Sequence, residues 1–307
     1  MQLPQVETTK SARVSHDLNQ AGLAPWARVG LFFLFLAISL VVTVVGHSAW
    51  IPNEWRLAAR AGLSLVLLAT TIGLHRSERL RPFWKISLAY LAVSVGFLLT
   101  LIVGRWLPAP DSLTSNPVMG LALSKLFDVI PLVLPMLLVP PLAGDDFGSI
   151  YLQRGKLGQS LLLGLLVGAV TFIPFVMLGG LEGVRAVGAA AVVAALPWIV
   201  VFSLSNSFME ELWWRGLFLR KYQVFLGARG ALLLTALGWG LMHLIVSYFG
   251  GGQLVAFVAI DILLGLAYGW ITQRTDTLWG AVLAHAAADA FLVLGMLATL
   301  ATLAKLS

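Results

Sequence analysis

The chain has 307 residues, of which 59% are apolar and only 11% charged, with a net charge of +6 at pH 7. Soluble domains carry roughly 25% charged residues, so this chain has too little polar surface to cover a water-soluble globule. Cysteine is absent, which excludes disulfides, thiolate metal ligands and a catalytic thiol. Lys and Arg cluster in short connections between apolar runs, which indicates membrane topology and argues against nucleic-acid binding.

The chain begins with a polar stretch, residues 1–27, that lacks the apolar run and cleavage site of a signal peptide, so we predict a cytoplasmic tail. Nine apolar segments follow, each of the length that a membrane-spanning helix requires. They lie at roughly 28–46, 57–75, 86–104, 118–142, 159–178, 188–209, 230–249, 253–273 and 278–303. The sequence therefore predicts an all-α fold, a polytopic transmembrane helical bundle with about eight or nine spanning helices. Four prolines predict a kink or a partly re-entrant path in the fourth segment.

The distribution of basic residues predicts the orientation of the bundle. Residues 76–85 and the stretch from Arg215 to Arg229 are the most basic connections, whereas 250–253 is uncharged. Cytoplasmic loops carry the excess of Lys and Arg, and nine crossings from a cytoplasmic N-terminus place both basic stretches inside. We expect a multi-pass integral protein of a bacterial inner membrane with a cytoplasmic N-terminus.

The sixth apolar segment ends in a charged motif, SNSFMEELWWRGLFLR. It places Glu210 and Glu211 side by side, with Arg215 one helical turn beyond Glu211 on the same face. Ionisable groups at membrane depth are costly and need a partner or a function. One carboxylate can be neutralised by Arg215, while the other remains available for general acid–base chemistry.

Two later segments carry histidines that lie well inside apolar runs. Trp239 precedes His243 by one turn, and His285 precedes Asp289 by one turn, so each pair shares a helix face. Two glutamates, two histidines and an aspartate on three helices can therefore converge on one polar pocket. By simple rise, His243 lies about 20 Å from Gly230, deeper than Glu210. Either the sixth helix continues past residue 209 or the pocket is deep.

The order EExxxR, then an aromatic four residues before His, then HxxxN or HxxxD, resembles the CAAX-protease and bacteriocin-processing family of intramembrane endopeptidases, also called CPBP or Abi. The resemblance covers roughly residues 185–300. Phenylalanine is usual where Trp239 stands, and the eukaryotic prenyl-protein members have asparagine where Asp289 stands. Bacterial members tolerate the aspartate.

The resemblance implies a CAAX-type protease that hydrolyses peptide bonds of membrane-associated proteins or peptides. Carried over residue by residue, the catalytic set is Glu210, Glu211, His243, His285 and Asp289, with Arg215 and Trp239 supporting the site. Glu210 would be the general base, assisted by His243. His285 and Asp289 would bind the water or stabilise the developing oxyanion, and Glu211 with Arg215 would hold the charge and shape of the site. The family is also described as metalloproteases, so a zinc ion held by His243, His285 and Glu210 stays open, although the HExxH pairing is absent.

The resemblance also implies a division of the chain, with the tail at 1–27, accessory transmembrane helices at 28–180 and a catalytic core at 181–303. A non-proteolytic scaffold, immunity or regulatory member of the family remains the alternative function. Lys125 and Asp128, one turn apart, are expected to neutralise each other. Asp261 has no local partner and is left open between a structural pair across helices and a place at the same pocket.

Overall fold

The structure, a computed structural model, describes residues 23–48, 50–107, 116–177, 180–246 and 250–303. Most of the predicted tail at 1–27 lies outside these residues. Within these residues the chain forms a series of α-helices. They are α1 (Pro25–His47), α2 (Asn53–Arg76), α3 (Trp84–Trp106), α4 (Pro117–Ala143), α5 (Leu157–Val170), α6 (Phe172–Met177), α7 (Gly180–Val187), α8 (Ala189–Glu211), α9 (Arg220–Met242), α10 (Gly251–Thr275) and α11 (Trp279–Leu303). A π-helix, Leu212–Leu219, joins α8 to α9.

Eight helical stretches in the described part of the chain are long and apolar enough to cross a membrane. The longest, Ala189–Met242, contains a sharp break at Gly227, where φ is +72°. Glycine adopts this conformation without the steric penalty of a Cβ atom. Beyond the break the chain folds back, because Trp239 reaches Glu210 with a hydrogen bond. The predicted polytopic all-α bundle of eight or nine crossings is confirmed.

The continuity of α8 explains the depth of the histidine in α9. The sixth segment was predicted to end near residue 209, but helical structure continues through the π-helix to the break at Gly227. Glu210 and His243 are then nearly equidistant in sequence from that break, 17 and 16 residues. At about 1.5 Å per residue, both lie roughly 25 Å from it, so the two side chains share one level of the bundle.

Helix α4 is continuous despite its four prolines, Pro131, Pro135, Pro140 and Pro141. Its first turn is capped by the Asn116 side chain, which accepts hydrogen bonds from the backbone N–H groups of Val118 and Met119 at 3.0 Å. Gly144 in the left-handed conformation ends it. Of the two predicted alternatives, the partly re-entrant path is wrong because the helix is continuous, and the kink stays a prediction. Neighbouring helices supply the packing that lets a proline-containing helix span.

Polar contacts join the connections at one end of the bundle. Lys85 pairs with Asp145 at 2.6 Å, and Arg220 pairs with Asp276. The Gln153 side chain donates a hydrogen bond to the backbone carbonyl of Asp276 at 2.9 Å. These contacts tie the α4–α5 connection to the start of α3, the start of α9 and the α10–α11 turn.

The N-terminal helices pack directly on the C-terminal half. The Tyr90 and Tyr222 hydroxyls lie 2.6 Å apart, and Ser39 lies 3.2 Å from each of them. The Phe35 ring stacks on Tyr222 at 5.2 Å. One buried cluster therefore runs from α1 and α3 into α9. The division into accessory helices and a catalytic core stays a prediction.

A close contact between α5 and α11 sets the position of the helix that carries His285 and Asp289. The Gly280 backbone N–H donates to the Ser160 hydroxyl at 2.9 Å, and a Cβ atom on Gly280 would overlap the Ser160 carbonyl. Backbones approach this closely only where side chains are small.

We expect Gly280→Ala to lower the free energy of unfolding by about 1–3 kcal/mol, because the added methyl forces the two backbones apart. Gly158→Ala in α5 is the control, since its Cβ would meet open space. Alanine favours helix over glycine by about 1 kcal/mol, so the control should be neutral or stabilising. Thermal unfolding in detergent measures both. Equal stability of the two variants would contradict the close-packing argument.

Candidate active site

The glutamate pair at the end of α8 divides into one residue that lines a cavity and one that is sealed behind it. Glu210 borders a cavity of about 500 Å³, whereas the Glu211 side chain has no exposed surface. Glu210 accepts a hydrogen bond from the Trp239 indole N–H at 2.6 Å. Trp239, the aromatic residue of the second motif, therefore orients the Glu210 carboxylate in addition to packing against its neighbours.

Glu211 and Arg215 form a fully buried ion pair of 2.8 Å, one helical turn apart as predicted. The second guanidinium nitrogen of Arg215 donates to the Gly265 carbonyl at 3.1 Å. The guanidinium also lies over the rings of Trp239 and Tyr268, at 4.8 and 5.5 Å from their centroids. A buried charge is tolerated only when it is paired and hydrogen-bonded, and Arg215 meets both conditions.

His285 links the sealed pair to the cavity. Its Nδ1 lies 2.9 Å from Glu211 Oε1, and its Nε2 lies 3.9 Å from Glu210 Oε2 and 3.6 Å from Asp289 Oδ1. The imidazole stacks on Tyr268 at 5.3 Å. Because Nδ1 is held from behind, the ring presents Nε2 to the two carboxylates at the cavity.

Asp289 is held from the opposite side by a residue that the motifs did not include. The Asn206 side-chain N–H donates to Asp289 Oδ2 at 3.0 Å. Asn206 precedes Glu210 by one turn, so it lies on the same face of α8, and both residues line the cavity. That spacing was readable in the sequence, but an asparagine without a charged neighbour gave no reason to select it.

His243 stands directly after α9 and lines the same cavity. Its Nδ1 lies 3.1 Å from the Trp239 carbonyl oxygen and 3.2 Å from Asp261 Oδ2. The imidazole packs edge-on against Trp239 and Phe257. Asp261, left open by the sequence, therefore has a partner on another helix and a place at the cavity.

The structure brings the predicted residues together in two layers. Glu210, Trp239, His243, His285 and Asp289 line the cavity, and they come from α8, α9, α11 and the residue that follows α9. Glu211 and Arg215 lie behind this layer and touch it through His285 and Trp239. The π-helix that carries Arg215 is an uncommon element that is found mostly at functional sites.

The N-terminal half also contributes to the cavity, through His47 at the end of α1 and through Lys125 and Asp128 of α4. In the sequence His47 lies at the end of an apolar segment, and nothing there indicates that it reaches the site. Lys125 and Asp128 make no ion-pair contact within 4.0 Å, but Lys125 is still an attractive charge acting on Asp128, so their mutual neutralisation stays a prediction. The Lys125 ammonium instead lies over the Phe202 ring, 5.6 Å from its centroid.

The residues predicted to hold zinc do not form a metal-ligand group. Among the residues that the structure describes, no three His, Asp or Glu side chains are arranged to hold a metal ion. Nδ1 of His243 faces the Trp239 carbonyl and Asp261, Nδ1 of His285 faces Glu211, and Glu210 Oε2 accepts the indole N–H. The contacts at the two Nδ1 atoms are also those that a zinc-bound histidine would have, so the absence of a metal-ligand group rests on the spatial arrangement of the described side chains alone.

The sequence matches one protein-family model. Residues 192–291 match the family model described as type II CAAX prenyl endopeptidase Rce1-like. The match covers about a third of the chain and contains all three motifs. It confirms the resemblance to the CAAX-protease family and supports, at the level of the family, a CAAX-type intramembrane protease. No curated protein and no solved structure matches the chain.

Proposed function

We propose that the protein is an intramembrane endopeptidase in which Glu210, assisted by His243, activates a water for attack on a peptide bond. The observation that carries the proposal is the convergence of four ionisable side chains, Glu210, His243, His285 and Asp289, on one cavity inside an apolar bundle. Ionisable residues within a membrane-spanning bundle mark functional sites by default. The family match supports peptide hydrolysis as the reaction class.

The depth of the cavity supports cleavage within the bilayer. Glu210 precedes Arg220 by ten residues, roughly 15 Å along the helix, and Arg220 belongs to the polar contacts at one end of the bundle. The hydrocarbon core is about 30 Å thick, so Glu210 would lie near its centre. We propose that this polar end faces the cytoplasm of a bacterial inner membrane, in keeping with the basic connections there.

The proposed reaction has two proton transfers. Glu210 takes a proton from water as the water oxygen bonds to the scissile carbonyl carbon, which gives a tetrahedral intermediate with an oxyanion. His285 and Asp289 bind the water or stabilise that oxyanion. Glu210 then returns its proton to the amide nitrogen as the C–N bond breaks, which leaves a carboxylic acid and an amine.

Glu211 and Arg215 would act through their neighbours. Glu211 has no surface at the cavity, so it can neither touch a substrate nor deliver a proton to one. Its bond to His285 Nδ1 fixes the direction of that ring, and Arg215 balances its charge. We therefore propose both as positioning residues, in keeping with the role in holding the charge and shape of the site that the resemblance implies.

The test of the proposal is cleavage by the purified full-length protein in lipid nanodiscs. A quenched fluorescent peptide that ends in a farnesylated CAAX sequence, its unprenylated form and an unrelated apolar peptide serve as substrates. Cleavage of any of them that is lost in Glu210→Gln supports the proposal. A folded protein without cleavage favours the non-proteolytic alternative. Metal analysis of the same sample measures whether zinc is bound in stoichiometric amount.

Asp289→Asn is expected to change kcat by less than about threefold, because the asparagine carbonyl can still accept the hydrogen bond from Asn206. Asp289→Leu removes both acceptors and leaves the Asn206 amide without its partner, so we expect kcat to fall at least about tenfold. Peptide cleavage by the two purified variants measures the difference. Equal activity of Asp289→Leu and wild type would exclude Asp289 from the mechanism.

A further inference from the structure

Asp261 is a buried carboxylate that the proposed reaction does not use. It lies in α10 with 5% of its surface exposed, in an apolar run without a charged neighbour in sequence. Within 4.0 Å, its ion-pair partner among the described residues is His243, which directly follows α9. An unpaired carboxylate is strongly disfavoured inside an apolar helix bundle. The contact between Asp261 and His243 therefore indicates that Asp261 has a role at the site.

The contact falls on one particular nitrogen of the His243 ring. Asp261 Oδ2 lies 3.2 Å from Nδ1, and the Trp239 carbonyl oxygen lies 3.1 Å from the same nitrogen. The Trp239 carbonyl is the hydrogen-bond partner of Nδ1. Asp261 Oδ2 makes no hydrogen bond to a described residue, but its carboxylate adds negative charge 3.2 Å from Nδ1. Both groups favour a proton on Nδ1. A neutral imidazole carries only one proton, and Nε2 is then left with a lone pair.

Other groups around His243 do not compete for that nitrogen. Phe257 and Trp239 pack edge-on against the ring and restrict its rotation. The other ionisable groups that face it, from α8, α11, α1 and α4, line the cavity: Glu210, His285, Asp289, His47, Lys125 and Asp128. None of these approaches Nδ1 within 4.0 Å as an ion-pair partner, whereas Asp261 does.

We infer that Asp261 is a positioning residue that, together with the Trp239 carbonyl, holds His243 in the Nδ1–H tautomer with Nε2 free to accept a proton. The part that His243 plays in peptide hydrolysis rests on the proposed function. The tautomer itself does not, since it follows from a hydrogen-bond acceptor and a negative charge beside one nitrogen. A carboxylate beside one ring nitrogen of a histidine favours the tautomer that carries its proton on that nitrogen.

Nitrogen NMR of the full-length protein in nanodiscs tests the tautomer without any substrate. The chain has five histidines, so selective 15N-histidine labelling gives a small set of signals, and His243→Gln assigns the one of interest. In the wild type we expect a protonated Nδ1 and an unprotonated Nε2. Asp261→Leu should lower the share of this tautomer, and the control Asp128→Asn, on the same cavity, should not. An unchanged His243 signal in Asp261→Leu would overturn the inference.

Peptide cleavage tests the consequence separately. We expect Asp261→Leu to lower kcat by about 10-fold to 100-fold with KM unchanged. This loss is part of the rate enhancement of about 10²–10⁴ that a positioned general acid or base supplies. Asp261→Asn keeps the shape of the side chain but removes its charge, so it should lower kcat in the same direction as Asp261→Leu. If Asp261→Leu does not fold, Asp261→Ser carries the test, since its shorter side chain does not reach Nδ1. Wild-type kcat in the apolar or serine variant contradicts the role. Absence of cleavage in the wild type overturns the proposed function, while the NMR result still decides the tautomer.

Discussion

Replacing Glu210 with glutamine is expected to lower kcat for peptide cleavage by about 10³-fold, within the 10²–10⁴ range that a positioned general base contributes. Glutamine has the same shape and its carbonyl can still accept the Trp239 indole N–H, so the fold should survive. It cannot take a proton from water at neutral pH. Initial rates with the quenched fluorescent peptides in nanodiscs measure the effect.

The control for this change is Glu54→Gln in α2, which removes the same charge from an exposed surface position. It should leave kcat unchanged. Thermal unfolding of Glu210→Gln shows whether the protein remains folded. If the folded Glu210→Gln protein keeps full activity, Glu210 is not the base and the proposed mechanism is wrong.

Arg215→Met is expected to have the largest effect on stability, a loss of about 3–5 kcal/mol, because it leaves the buried Glu211 carboxylate with His285 alone and without its permanent positive charge. It also removes the cation that lies 4.8 and 5.5 Å from the ring centroids of Trp239 and Tyr268. Adding Glu211→Gln to Arg215→Met should restore part of the loss, since no orphaned charge then remains. Thermal unfolding in detergent compares the single and double variants.

A matched control lies five residues further along the chain. Arg220→Met breaks the pair with Asp276, whose side chain is 53% exposed, and surface ion pairs contribute about 0–1 kcal/mol. Arg215→Met should therefore lower the unfolding temperature far more than Arg220→Met. Similar losses in the two variants would show that burial does not make the Glu211–Arg215 pair important.

Much of the site was predictable because its members repeat at helical spacing. Glu211 and Arg215 are paired as their spacing of four indicates, and His285 lies near Asp289 for the same reason. Their positions inside apolar runs marked them as residues that need partners. Local spacing on one helix was sufficient for these pairs.

Contacts between helices were not predictable in the same way. Asn206 on Asp289, and Asp261 beside His243, depend on how α8, α10 and α11 are rotated against each other. Rotation is set by packing of many small residues along each helix, including the close approach at Gly280. No short motif encodes it.

The sequence by itself determined that the chain is a membrane-spanning helical bundle and which of its polar residues require a function. A chain with so few charged residues cannot cover its surface for water, so the lipid bilayer surrounds most of it. Ionisable side chains inside the bilayer are unfavourable, so those that occur there are expected to have a partner or a function. Only the tertiary structure decided that Glu210 faces the cavity while Glu211 is sealed behind it. Adjacent residues on a helix point in directions about 100° apart, so the surrounding helices decide which carboxylate meets the cavity and which meets an arginine.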